Sequence, residues 1–176
     1  MNPNRIALFT DISLNSKEKI GFGSYLIIPE SDLKNVTLEL IKINVQLKKF
    51  KSTSSTKLEI ETLLWAIEEL INNHKQVYLF GNLSIYTDSQ SIVSLPERRK
   101  KLESSGFKSV RKNKKLNNAI FYRKYYQYQD KLRFKLLKIK GHSKLHTKDI
   151  LHKLFTLVDR ISRKALRTYL EKNKIH

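Results

Sequence analysis

The chain has 176 residues and no cysteine at all. Disulfides, zinc–thiolate sites and thiol catalysis are therefore excluded, and a reducing, cytoplasmic setting is the expectation. No apolar run approaches the roughly 20 residues that a membrane-spanning helix needs. The apolar segment near the N-terminus is too short for a signal peptide, so no membrane partner is expected. There is no internal repeat, linker or low-complexity tract, and residues 1–176 read as a single domain. Acidic residues are scarce: 16 Asp and Glu stand against 35 Lys and Arg, a formal charge of +19 with a pI near 10.0. That scarcity leaves few candidates for a metal ligand. The excess of positive charge makes a polyanion, nucleic acid first of all, the expected partner. With 40% hydrophobic and 10% aromatic residues, the chain has enough apolar surface to build a core.

Two stretches echo one another. Ile6-Ala7-Leu8-Phe9-Thr10-Asp11-Ile12-Ser13 and Leu83-Ser84-Ile85-Tyr86-Thr87-Asp88-Ser89-Gln90 are both β-prone runs that end in Thr-Asp. An ionised Asp at the end of a buried strand is costly unless something neutralises it. Two such aspartates on adjacent parallel strands would meet in the crevice at the carboxyl edge of the sheet.

Hydrophobic periodicity predicts strands at Arg5–Thr10, Phe22–Ile28 and about Val36–Leu47, with Gly21 and Gly23 supplying turn flexibility between the first two and Pro29 closing the second. The polar, Ser- and Thr-rich stretch Lys51–Thr56 is N-cap chemistry for a helix whose apolar spacing runs from Leu58 to Asn73. A strand over Leu83–Thr87 precedes a short helix from about Ser89 that ends near Pro96. A dense basic and aromatic segment covers about 97–131. A fifth strand over Leu132–Ile139, a loop over Lys140–Lys148 and a long amphipathic helix over about Asp149–Leu170 complete the chain. This order describes an α/β fold with a mixed five-stranded sheet, three antiparallel strands then two parallel, flanked by helices.

Few acids qualify as ligands. Asp11 and Asp88 sit at strand ends. Glu59 and Glu61 lie in the first turns of a helix, where the dipole favours a carboxylate whether or not it binds anything. Asp159 adjoins the apolar stripe of the last helix and is also spaced as an i,i+4 partner of Arg163. Asp149 reads as that helix's N-cap. Oxygen donors from two strands and two helices suit Mg²⁺ or Mn²⁺ and not zinc. A pair of such ions about 4 Å apart activates water and stabilises a leaving oxygen in phosphodiester cleavage.

The pattern resembles type 1 ribonuclease H over about residues 5–168. Thr10-Asp11-Ile12-Ser13 is similar to that family's first strand motif, and Ser54-Ser55-Thr56-Lys57-Leu58-Glu59 to its helix-opening motif, which selects Glu59 over Glu61. Tyr86-Thr87-Asp88-Ser89-Gln90 is similar to the third motif, Ile139-Lys140-Gly141-His142-Ser143 to its histidine loop, and Val158-Asp159-Arg160-Ile161-Ser162 to the last. The resemblance implies an RNase H-like fold, two Mg²⁺ ions (Mn²⁺ as a substitute) held by Asp11, Glu59, Asp88 and Asp159, and His142 assisting proton transfer or product departure. It implies an endonuclease, acting as a monomer, that hydrolyses the RNA strand of RNA–DNA hybrids and leaves 5′-phosphate ends. Ser13, Asn15, Ser55, Thr56 and Gln90 would meet the RNA strand through its 2′-hydroxyls. In the basic segment, similar to the family's basic protrusion, Arg98, Lys101, Lys108, Lys112, Lys114 and Asn117 would grip DNA phosphates, and Phe107 would face a sugar or ring.

The chain departs from the family pattern at Ile12, where glycine is usual, at the hairpin Asn15-Ser16-Lys17-Glu18-Lys19, and at Ser55-Thr56, where a pair of Asn is usual. The spacing from His142 to Asp159 is longer than in the family, which keeps Asp149 as an alternative fourth ligand. Two other function classes remain at this point: another nuclease or strand transferase on the same fold, of junction-resolvase or transposase type, and a non-catalytic nucleic-acid-binding module.

Overall fold

A computed structural model describes residues 5–35, 37–52, 54–73, 81–109, 111, 114–139 and 149–173, without the side chains of 38–40. One five-stranded sheet organises the molecule, in the order β3-β2-β1-β4-β5. Its centre is β1 (Ile6–Asn15), antiparallel to β2 (Ile20–Pro29) and parallel to β4 (Leu83–Thr87). β3 (Gln46–Lys51) pairs antiparallel with β2, and β5 (Lys135–Lys138) pairs parallel with β4. The expected three antiparallel and two parallel strands are all present.

Both faces of the sheet are covered, so β1 buries successive residues: Ala7, Leu8 and Phe9 are all fully inaccessible. On one face lie α2 (Ser55–Asn73), α4 (Leu95–Ser104) and α5 (Ala119–Leu132), packed around Leu8, Leu63, Ile67, Leu70, Ile85 and Tyr125. On the other face α6 (Ile150–Asn173) lays Leu154, Phe155 and Val158 against Ala7, Phe9 and Leu26. A short α3 (Gln90–Val93) follows β4, as expected, with Ser89 as its N-cap accepting from the Ile92 amide at 3.2 Å. Among the described residues, no helix is long and apolar enough to cross a membrane.

The connection between β2 and β3 corrects the sequence reading. In place of a strand from residue 36, a 3-10 turn (Glu30–Lys34) and a helix, α1 (Leu38–Asn44), intervene, and β3 begins only at Gln46. Ile41 and Ile43 would share one face of a strand, but helical geometry turns them apart. Ile41 is accordingly buried and Ile43 is 79% exposed. Leu, Ile, Glu and Lys suit a helix as well as an alternating strand, and nothing in residues 38–44 pairs with β2 to decide for the strand.

The glycines also serve another purpose than the turn expected of them. The hairpin between β1 and β2 is made by residues 16–19, with Lys19 in the left-handed region at φ 54°. Gly21 and Gly23 lie inside β2, where α2 presses on the sheet. A Cβ at Gly23 would stand 2.1 Å from Thr62 Oγ1, and one at Gly21 2.3 Å from Leu58 Cδ2. β5 is shorter than expected because α5 runs on to Leu132 before Arg133 ends it with φ 49°.

Candidate active site at the carboxyl edge of the sheet

β1 and β4 run side by side in register, Phe9 opposite Tyr86, with those two rings stacked 4.9 Å apart. Continuing that register sets Asp11 beside Asp88, just beyond the carboxyl end of β4. α2 begins at the same edge because Ser54 caps it, its carbonyl accepting from the Leu58 amide at 3.0 Å, and Glu59 follows at the start of the second turn. Thr10, Asp11, Ile12, Glu59, Thr87, Asp88 and Ser89 line one crevice. Three acids far apart in sequence therefore share one wall.

Asp159 joins them from the opposite face. α6 is tied to β1 by Ser162, whose hydroxyl lies 3.0 Å from Asp11 Oδ2 and 2.9 Å from the Asp159 carbonyl oxygen. It is tied to β2 by Ser24, whose hydroxyl donates to the Val158 carbonyl at 3.0 Å. Burial, and then repulsion from Asp159 and Asp88, pushes the Asp11 carboxyl up to about 7 from its ordinary 3.8. Asp88, at the rim, is also raised, by partial desolvation first and then by Glu59 and Asp159, with Arg163 opposing. Arg163 Nε stands 2.6 Å from Asp159 Oδ1, the i,i+4 pair expected from spacing.

Asp149 is engaged elsewhere. It caps α6, accepting from the His152 amide at 2.9 Å and meeting His152 Nδ1 at 2.7 Å, and those bonds hold its carboxyl below the usual range. Glu61 faces away too, on the side of α2 that carries Lys57, 3.8 Å distant. Among the described residues no three Asp, Glu or His side chains already stand in a metal-binding arrangement. Glu59 Oε2 accepts from Ser89 Oγ at 2.6 Å and from Ser91 Oγ at 2.5 Å. Ser91 was not singled out in the sequence. Its only signal is a hydroxyl one helical step beyond the Thr87-Asp88-Ser89 turn.

The family model for RNase H matches residues 3–165. The chain belongs to the RNase H family. Among solved structures the chain is similar to the RNase H domain of prototype foamy virus, at 16% identity and TM-score 0.65, over 91% of this chain and 93% of that one. It is similar to the foamy viral protease–reverse transcriptase in complex with an RNA/DNA hybrid, at 17% identity and TM-score 0.65, over 93% of this chain. The match spans about 20% of that longer chain. It is also similar to LC11-RNase H1 in complex with an RNA/DNA hybrid, at 16% identity and TM-score 0.53, covering 77% of this chain and 85% of that one. At these identities the likeness is one of fold. No curated protein matches the chain.

Of the residues expected from the sequence to meet a substrate, Ser13 and Thr56 are half-buried and Ser55 and Gln90 exposed, Gln90 with its Oε1 held by Lys138 Nζ. Asn15 Oδ1 is already committed to the hairpin, accepting from the amides of Lys17 and Glu18 at 3.0 and 3.1 Å. In the basic segment, the backbone bonds from Ser109 N to Lys114 O (2.8 Å) and from Leu116 N to Phe107 O (2.9 Å) close a small loop. Together with α4 this loop forms a groove of about 500 Å³ bordered by Arg98, Ser109, Lys114, Lys115 and Asn117. Lys101 and Lys108 are exposed nearby in the chain. Phe107 does not face solvent. It is buried at φ 60°, with the Arg123 guanidinium 4.9 Å from its ring centre, so its part is packing and not contact with a sugar. His142 and Lys112 lie outside the described residues.

Proposed function

We propose that this RNase H hydrolyses the RNA strand of RNA–DNA hybrids endonucleolytically, with Mg²⁺, or Mn²⁺ in its place, at Asp11, Glu59, Asp88 and Asp159. One observation carries the reading. Acids from β1, α2 and β4 line a single crevice, and a fourth on α6 is close enough to raise two of them. Burial first, and then the neighbouring charges of Asp159 and Asp88, raise the Asp11 carboxyl to about 7, and a site of that kind favours a compensating cation. All the donors are hard oxygens, so the set fits Mg²⁺ or Mn²⁺.

When bound there, two divalent ions would supply Lewis-acid stabilisation of developing negative charge and would lower the pKa of a water molecule. The protein's own groups do the rest. Asp11 must lose its proton to serve as a ligand, and Ser162 donates to its Oδ2. Ser89 and Ser91 hold Glu59 in one orientation. Arg163 offsets part of the Asp159 charge. Ser13, Ser55, Thr56 and Gln90 would offer hydroxyl and amide groups to the 2′-hydroxyls that distinguish RNA from DNA. Arg98, Lys101, Lys108, Lys114 and Asn117 would hold the DNA strand by its phosphates, and His142 would move a proton or help product leave.

Incubating hybrid, double-stranded RNA and double-stranded DNA side by side with Mg²⁺ or Mn²⁺ tests the reading. The expected result is cleavage of the RNA strand of the hybrid alone, giving 5′-phosphate ends. Asp88→Asn is expected to abolish cleavage and leave hybrid binding roughly intact. An Asp88→Asn protein that cuts like wild type overturns the site assignment.

A further inference from the structure

The basic groove and the carboxylates leave a second set of cations unexplained. Between Arg160 and Leu170, α6 carries Arg160, Arg163, Lys164 and Arg167 and no acid, all four exposed. Arg163 marks the side of α6 nearer the carboxylates, since it pairs with Asp159. Arg160 and Arg167, three and four residues away, share that side. Among the described residues neither is paired with an acid.

The row continues onto the sheet. Where α6 crosses to the outer strand, Tyr169 meets Phe22 of β2, and Lys49 Nζ of β3 stands 4.4 Å from the Tyr169 ring centre. Lys51 shares that face of β3 by strand alternation, whereas Lys48 points the other way, over Trp65. The cations thus lie along the outer side of α6 and on the edge strand near its end, all on the face of the sheet opposite α2, α4 and α5. The groove bordered by Arg98 and Lys114 lies on those helices' side. The carboxylate crevice opens at the sheet edge between the two.

We propose that Arg160, Arg167 and Lys49 form a second track for the sugar–phosphate backbone, so that a duplex laid across the sheet edge is held from both faces. This rests on the nucleic-acid reading of the carboxylate site. Arg160 to Arg167 spans roughly 10 Å of helix, which matches about three phosphates of one strand. The contact is electrostatic and sequence-independent, so RNA–DNA hybrid and DNA duplex should both use it.

The test is binding of a hybrid and a DNA duplex of roughly two helical turns, measured by fluorescence anisotropy over a salt series with a chelator present. The track variant carries Arg160→Gln, Arg167→Gln and Lys49→Gln. A control carries Arg5→Gln, Lys34→Gln and Lys42→Gln, which removes equal charge at the opposite edge of the sheet, by the start of β1 and the β2–β3 connection. Circular dichroism confirms that both remain folded. The slope of log K against log salt is expected to be shallower by about 2 to 3 in the track variant on both duplexes, and unchanged in the control. Equal slopes in wild type and track variant overturn the track, as does an equal loss in the control. Cleavage by wild type is read separately. A protein that cuts no hybrid but shows the slope change loses the proposed activity and keeps the track, while one that cuts hybrid with unchanged slopes keeps the activity and loses the track.

Discussion

Ser162 Oγ and Asp11 Oδ2, 151 positions apart in sequence, lie 3.0 Å apart and join the middle of α6 to the middle of β1, which runs on past Asp11 to Asn15. The same hydroxyl lies 2.9 Å from the Asp159 carbonyl oxygen, so its one proton is shared between two acceptors. A donor to a buried, charged acceptor contributes about 1.5–3 kcal/mol. Ser162→Ala is therefore expected to lower stability by about that amount at pH 8, where Asp11 is ionised, and by less at pH 5, where it is protonated. Urea titrations at the two pH values read the difference. Equal losses at both would show that the bond to Asp11 contributes nothing particular to the charged form.

The raised Asp11 carboxyl makes the fold less stable, not more, as pH rises in the absence of divalent cations. Below about pH 4 the group is protonated in both folded and unfolded chains and contributes nothing. Between pH 4 and 7 only the unfolded chain loses the proton freely, and above about 7 the penalty is complete. At about 1.4 kcal/mol per pKa unit it amounts to roughly 4 kcal/mol. Asp11→Asn is expected to raise the melting temperature at pH 8 in chelator, to change it little at pH 4, and to remove cleavage. A pH-independent effect on melting would contradict the burial argument.

Gly23 is held to glycine by Thr62. An added methyl would meet Thr62 Oγ1 at 2.1 Å and Cγ2 at 2.8 Å, and overpacking of this kind costs about 1–3 kcal/mol. Thr62 Oγ1 is itself buried without a hydrogen-bond partner among the described residues, so Thr62→Ala loses little. Gly23→Ala should be destabilising alone and largely rescued by Thr62→Ala. A double-mutant cycle in urea measures the coupling, and additive losses would place the strain elsewhere, with Phe50 Cε2 at 3.0 Å the next neighbour.

These cases show what a one-dimensional reading reaches. β4 was legible to the residue because its apolar run is bounded by polar turns, and the long helices because their apolar spacing is sustained. Asp11 and Asp88 drew notice because an Asp at the end of an apolar run needs a physical reason, although β1 in fact continues past Asp11 to Asn15; Glu59 and Asp159 were selected only by the family resemblance. Residues 38–44 were not, since alternating Leu and Ile there satisfy a strand pattern while tertiary packing chooses a helix around Ile41. The purpose of Gly21 and Gly23 depends on a helix more than 30 residues downstream pressing on β2. Ser91 and the α6 cation row depend on partners that only the folded chain brings near.

Phe107 decides between packing and recognition at the basic segment. Its ring lies within the core cluster of α4 and α5, 6.3 Å from the Tyr126 ring, and holds a left-handed backbone directly after Gly106. Phe107→Ala should then lower stability by about 3–5 kcal/mol as a large-to-small core substitution. Phe107→Leu, closer in volume, should cost about 1.5 kcal/mol or less. The recognition role predicts a different pattern: both variants would weaken hybrid binding, because neither presents an aromatic face. Anisotropy titrations of Phe107→Leu at a temperature where it is fully folded separate the two. We expect its affinity for hybrid to equal that of wild type, and a marked loss at full folding would return the ring to the nucleic-acid interface.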